Sequence, residues 1–143
     1  MGLEEIYTEL VSEHSRNPEH RHALPGATCS LKGHNPSCGD EITLQLKVKD
    51  GVVEDAAFTG VGCAISQAST DMMIDLIRGK SVEKARELAG KFIAMIKREI
   101  TDDDELEELD EALSLKNVSN MPARVKCAVL AWHTLDDALK EKK

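Results

Sequence analysis

Aromatic residues are scarce in this chain: one Trp, one Tyr and two Phe, 3% of the whole. Tyr7, Phe58, Phe92 and Trp132 are too few and too scattered to form a platform on which nucleobases stack. Cations are in deficit as well, with 18 Lys and Arg against 26 Asp and Glu and a formal net charge of -8. Binding to a phosphate backbone draws its affinity from clustered Lys and Arg, so a nucleic-acid partner is not expected. No apolar run approaches the roughly 18 residues that a membrane span requires. The opening MGLEEIYTEL carries acids where a signal peptide would carry bases. The expectation is a soluble, cytoplasmic chain without a membrane partner. Equally absent are a phosphate-cradling glycine loop of the P-loop type, adjacent Ser-His-Asp motifs, internal repeats and an interdomain linker.

What is present suits one compact domain over residues 1–143, with 41% hydrophobic and 31% charged residues. Leu3, Ile6, Tyr7, Leu10 and Val11 recur at helical spacing until Asn17-Pro18 stops the pattern, so the chain should open with an amphipathic helix. Residues 19–37, rich in Pro, Gly and His, read as irregular, with a short strand near Thr28 to Leu31. Ile42, Leu44, Leu46 and Val48 alternate with Thr43, Gln45 and Lys47, the signature of a half-buried strand. Asp50-Gly51 supplies a tight turn, and a second strand should run from Val52 to about Thr59 with Val52, Ala56 and Phe58 on one face.

After Cys63 the period changes to helical. Ile65, Ala68, Met72 and Leu76 mark one helix, ended at Arg78-Gly79. Ser81 caps a second, with Val82, Ala85, Leu88, Phe92 and Ile96 as its buried stripe. TDDDELEELDEALSL predicts a solvated acidic helix, capped by Thr101 or Asp102 and seated on Leu106, Leu109 and Leu113. A last helix starts at Ser119 to Pro122 and buries Val125, Val129, Trp132 and Leu139. The fold class is α+β: a small antiparallel sheet of two to three strands packed against several helices.

Four cysteines in a reducing compartment serve as ligands, nucleophiles or small core residues more often than as disulfides. Cys38-Gly39-Asp40 sets a thiolate and a carboxylate two residues apart across a glycine, where a loop enters a strand. Thiolates with an occasional carboxylate suit zinc, and Cys63 and Cys127 can complete a tetrahedron. Both are placed at or near a helix start, where the dipole favours the thiolate. The alternative stays open that Cys63 and Cys127 are simply small buried residues. Cys29, with no carboxylate or glycine turn beside it, reads as filler. A lesser alternative builds a metal site from His14, His20, His22 and His34, while His133 reads as a surface or satisfied histidine.

Three segments in order, NPSCGDEITL, GVGCAISQAS and MPARVKCAVLAW, resemble the SufU branch of the SufU/IscU family of iron–sulfur cluster assembly proteins, akin to the NifU N-terminal region. HSRNPEHR and the helix lengths extend the likeness over nearly the whole chain. That resemblance implies that Cys38, Asp40, Cys63 and Cys127 are metal ligands. It implies further that Cys38 accepts persulfide sulfur from a SufS-like cysteine desulfurase, one of whose histidines displaces it from zinc. Cluster assembly proteins would follow downstream. Three thiolates and a carboxylate on zinc carry formal charge -2, and Arg124, one turn before Cys127, is a candidate to offset it, against its reading as an ordinary solvated arginine. The scaffold branch has a histidine immediately before its last cysteine; this chain has Lys126, a poor ligand when protonated. The leading expectation is therefore a zinc-dependent sulfurtransferase. The alternatives are a scaffold holding a [2Fe-2S] or [4Fe-4S] cluster on the same ligands, and a binding module whose zinc is only structural.

Overall fold

The computed structural model describes residues 10–35, 39–120 and 122–140. Helix α1 (Leu10–Arg16) leads into three antiparallel strands, β1 (Cys29–Asn35), β2 (Asp40–Lys49) and β3 (Val52–Val61), in the spatial order β1-β2-β3. Helices α2 (Ala64–Ile77), α3 (Val82–Ile96), a single turn α4 (Asp103–Leu106), a 3₁₀ stretch (Glu107–Asn120) and α5 (Pro122–Leu139) follow. Within this set no helix is long and apolar enough to cross a membrane. The α+β class is as expected, and the early strand is longer than the segment near Thr28 to Leu31. The predicted helical positions Leu3 to Tyr7 lie outside the described residues; α1 ends just before Asn17.

Alternation along β2 buries Asp40, Ile42, Leu44 and Leu46 toward the helices and leaves Glu41, Thr43 and Gln45 half-buried on the other side. Asp50 (φ 53°) and Gly51 (φ 77°) both take positive φ, as a type I′ hairpin turn requires. One expectation fails here. Lys47 pairs with Asp55 but Val48 pairs with Val53, so Glu54 is an extra residue in β3 and the side-chain parity flips across it. Val53, fully buried, joins Ala56 and Phe58 on the core face, whereas Val52 is half-buried. The free edge of β3 is partly closed by the irregular segment, since the Phe58 N–H donates to the His20 carbonyl at 2.9 Å.

The helix caps follow the sequence. Cys63 caps α2, Ser81 caps α3 and Asp102 caps α4, each accepting from a backbone N–H within the first turn. The predicted acidic helix is interrupted. Beyond Leu106 the chain winds as 3₁₀ turns, broken at Asp110 (φ 54°). Leu106, Leu109, Ala112, Leu115 and Val118 are the buried positions, and they recur every third residue. That is the period of a 3₁₀ turn. Leu113, one step out of phase, is only half-buried. A dense run of acids on an α-helical face would add like-charge repulsion at i,i+4, which further disfavours continuing α4.

Two features fix α5. Its indole, Trp132, stacks on Phe92 of α3 at 4.1 Å between centroids. Its middle presses on β1 so closely that a Cβ on Gly33 would lie 2.1 Å from Thr134 Oγ1 and 3.3 Å from Leu130 Cδ1. Only a glycine admits that approach, and it sets the first turns of α5 beside the end of β1.

Helix α1 is clamped to α2 by charge. His14 donates from Nδ1 to Asp71 Oδ2 at 2.5 Å and from Nε2 to Glu111 Oε1 at 2.6 Å. Burial works against the imidazolium, but the hydrogen bonds to Glu111 and Asp71 and the charges of both carboxylates outweigh it and hold the His14 pKa above its ordinary value. A folded-state pKa raised above the unfolded value near 6.5 gives stabilisation that is complete below about pH 6.5 and lost as pH rises through the folded pKa. His14→Ala should therefore cost about 2 kcal/mol in urea unfolding at pH 6, with the difference from the unaltered chain shrinking toward pH 9. A penalty independent of pH would contradict the clamp.

Candidate metal centre

Three of the four predicted ligands converge. Asp40 opens β2, Cys63 ends the loop after β3, and Cys127 lies more than a turn into α5. One ligand atom from each falls within 4.8 Å of the others. A tetrahedral zinc site with bonds of about 2.0–2.3 Å has ligand-to-ligand edges of roughly 3.5–3.8 Å, so the cluster needs at most a small contraction to close. The fourth, Cys38, lies outside the described residues.

Each side chain is fixed by its element. Asp40 is fully buried. Its Oδ1 accepts the Cys63 N–H at 3.0 Å, tying the start of β2 to the start of α2. Its Oδ2 is buried and accepts no hydrogen bond among the described residues. A carboxylate oxygen so placed is costly unless a cation or donor meets it. Cys63, half-buried, accepts the Ser66 N–H on Sγ at 3.5 Å, so its sulfur occupies the N-cap of α2. Cys127 is buried, and too deep in α5 for the helix-start argument to apply to it. Its sulfur instead accepts the Asn35 Nδ2–H at 3.9 Å.

The donor set fits a soft divalent metal: two cysteine sulfurs and one unpaired carboxylate oxygen in a buried cradle. The cradle depends on Gly62, where a Cβ would come within 3.0 Å of both Asp40 Oδ1 and Ser66 Oγ. The Ser66 hydroxyl is itself buried and unpaired among the described residues. Asn35 and Ser66 escaped the sequence reading. The one available signal was position: Asn35 is three residues before Cys38, and Ser66 is three residues after Cys63.

Arg124 is half-buried on α5 and is engaged, and Lys126 is exposed. Cys29 packs against the core, its Sγ donating to the Ala138 carbonyl at 3.7 Å. The histidine alternative does not assemble. His22, His34 and His133 are exposed, and His20 donates to Asp75 Oδ1 at 2.7 Å. His14, Asp71 and Asp75 do bring ligand atoms within 4.8 Å. Both ring nitrogens of His14 are taken by carboxylates, leaving no lone pair for a cation.

Residues 6–143 match the model of the NifU-like N terminal domain. The chain is 43% identical over 141 residues to the iron-sulfur cluster assembly scaffold protein IscU of Thermotoga maritima, covering 99% of this chain and 97% of that one. It is 36% identical over 141 residues to the zinc-dependent sulfurtransferase SufU of Bacillus subtilis, covering 99% and 94%. A crystal structure of FiSufU from Fervidobacterium islandicum superposes with a TM-score of 0.88 at 36% identity, over 96% of this chain and 99% of that one.

Proposed function

Because this chain belongs to the family of NifU-like N-terminal domains, we propose that it is a zinc-dependent sulfur acceptor that takes persulfide sulfur from a cysteine desulfurase for iron–sulfur cluster assembly. The observation that carries the reading is the convergence of a carboxylate oxygen of Asp40 with Cys63 Sγ and Cys127 Sγ, beside a buried Asp40 Oδ2 that accepts no hydrogen bond among the described residues. Cys38 is the fourth ligand. Two residues along the chain from Asp40, it has a backbone reach of about 7 Å at most. Bound zinc would keep the cysteines deprotonated and ready for exchange.

The chain's own residues divide the work. Cys63 and Cys127 accept N–H donors and hold their positions, and Asp40 is anchored through Oδ1, which leaves Oδ2 as the oxygen that would bind zinc. Cys38 is the thiolate that reacts. It attacks the terminal sulfur of the desulfurase cysteine persulfide, forming a new S–S bond on Cys38 and releasing the desulfurase cysteine as thiolate. Arg124, one helical turn before Cys127, offsets the negative charge of the donor set. The setting is the cytoplasm, where thiols stay reduced.

Cys38→Ser tests the role directly. With a desulfurase and sulfur-labelled cysteine, label on this chain should fall to background and stimulation of turnover should vanish; labelling equal to the unaltered chain would remove Cys38 as acceptor.

A second reading has its own support. The Thermotoga maritima relative, at 43% identity, carries the scaffold name, and cysteine thiolates are also the ligands of [2Fe-2S] and [4Fe-4S] clusters. Lys126 stands against it, because a lysine is a poor metal ligand and the position beside Cys127 adds none.

A further inference from the structure

We infer that Asn35 is the positioning residue that fixes Cys127 as the stationary sulfur of the metal centre, so that exchange is confined to the other side of the site. This rests on the metal-binding reading above and assigns a role within it.

Asn35 is the last residue of β1 and pairs with Asp40, the first residue of β2. Its backbone thus closes the sheet immediately before residues 36–38 in the chain, and its side chain is buried. The carboxamide is 5% exposed and donates from Nδ2 to Cys127 Sγ at 3.9 Å. Strand and helix are held at the right separation for this by the contact of Gly33 with Leu130 and Thr134, one turn and two turns along α5 from Cys127. Asn35 therefore links three parts of the site: the strand end three residues before Cys38, the strand start that carries Asp40, and the helix that carries Cys127.

The energetics favour a charged acceptor. Burying an amide N–H costs about 1–3 kcal/mol unless it is bonded, and a neutral thiol is a weak acceptor. A thiolate accepts a charge-assisted bond, roughly twice as strong. Such a bond draws electron density from the sulfur and locks its rotamer, which lowers nucleophilicity and keeps the thiolate directed at the ion. Sulfur transfer needs that asymmetry, with one cysteine leaving the ion to react while the rest of the site stays assembled.

Two variants with the same side-chain branching test the inference, of which Asn35→Asp also keeps the volume. Asn35→Leu removes the donor, and Asn35→Asp replaces it with an acceptor of the same shape. In chelator competition both should lose zinc affinity by about 10–100-fold, the usual effect of removing a partner that orients a metal ligand. In the cobalt(II) form the sulfur-to-metal charge-transfer band should move to longer wavelength, because a sulfur without its N–H donor is easier to oxidise. A purely packing role would leave the Asn35→Asp band in place. A measurement on the unaltered chain covers variants that do not fold: in the cadmium-113 form, the Asn35 side-chain amide protons should couple to the metal through the Cys127 sulfur. Unchanged affinity and band in both variants, or no coupling in the cadmium form, overturns the role of Asn35 and leaves the metal site intact. Failure of the unaltered chain to take up zinc, cobalt or cadmium overturns both.

Discussion

Cys127→Ser and Cys63→Ser are each expected to weaken zinc binding by roughly 100-fold to 1,000-fold. Zinc held by four protein ligands contributes about 10–16 kcal/mol of binding free energy, so one ligand accounts for roughly 2.5–4 kcal/mol, and each 1.36 kcal/mol is tenfold. Serine keeps the size of the side chain but offers a hydroxyl that is not deprotonated at neutral pH. The two should differ in what else they disturb. Cys63 is half-buried and caps α2 through the Ser66 N–H, and a serine there still caps, so the metal-free Cys63→Ser chain should retain its stability. Cys127 is buried among the core residues and accepts from Asn35, so a serine there leaves a hydroxyl to satisfy and should cost about 1–2 kcal/mol in the metal-free chain. Isothermal titration for the metal and urea unfolding of the apo form check the pair. Full zinc affinity in either variant would remove that cysteine from the site.

The second large effect lies in the core. Trp132→Ala should lower stability by about 3–5 kcal/mol and the melting temperature by roughly 10–15 °C. The indole is fully buried and stacks on Phe92 with 9° between the rings. Its N–H donates to Ser69 Oγ at 2.8 Å, and the Ser69 O–H in turn donates to the Ala128 carbonyl at 2.6 Å. Together these bonds tie α5 to α2 next to Cys127; the deletion removes a large apolar volume and the indole's bond to Ser69, while the bond from Ser69 to the Ala128 carbonyl remains. Trp132→Phe separates the contributions. It keeps the stack, loses the donor to Ser69, and should cost about 1–2 kcal/mol. A loss below about 1 kcal/mol for Trp132→Ala would mean that the core closes over the gap more completely than its packing suggests.

Much of the fold was legible because local signals agreed with one another. Strict alternation from Ile42 to Val48 with Asp50-Gly51 behind it admitted only a hairpin, and Ser81 and Asp102 stand where caps are required. The failures have physical causes. An extra residue at Glu54 leaves no trace in hydrophobicity, because a bulge changes pairing and not composition. In the acidic segment Leu106, Leu109 and Leu113 have α-helical spacing, and the run Leu106, Leu109, Ala112, Leu115, Val118 equally has the three-residue period of a 3₁₀ turn; long 3₁₀ stretches are uncommon, so sequence alone favours the wrong one of the two. The expectation for Leu3 to Tyr7 falls on residues 1–9, which lie outside the described set.

The site was legible in a different way. Residue types and spacing raised Cys38, Asp40, Cys63 and Cys127 but left a core role open for two of them, because their ligand atoms come from separate elements and only tertiary structure brings them together. The ordered motifs of the resemblance narrowed that choice; the convergence of Asp40, Cys63 and Cys127 is a property of the fold. Asn35 was invisible for the same reason, its partner lying 92 residues away. His14 likewise meets Asp71 and Glu111 only in the folded chain, 57 and 97 residues on.

Elemental analysis of the freshly purified chain, paired with desulfurase turnover from free cysteine with and without it, decides between zinc-dependent sulfur acceptance and cluster scaffolding. One zinc per chain and stimulated turnover is the predicted result. Iron with labile sulfide and no stimulation would contradict it and establish the scaffold reading instead.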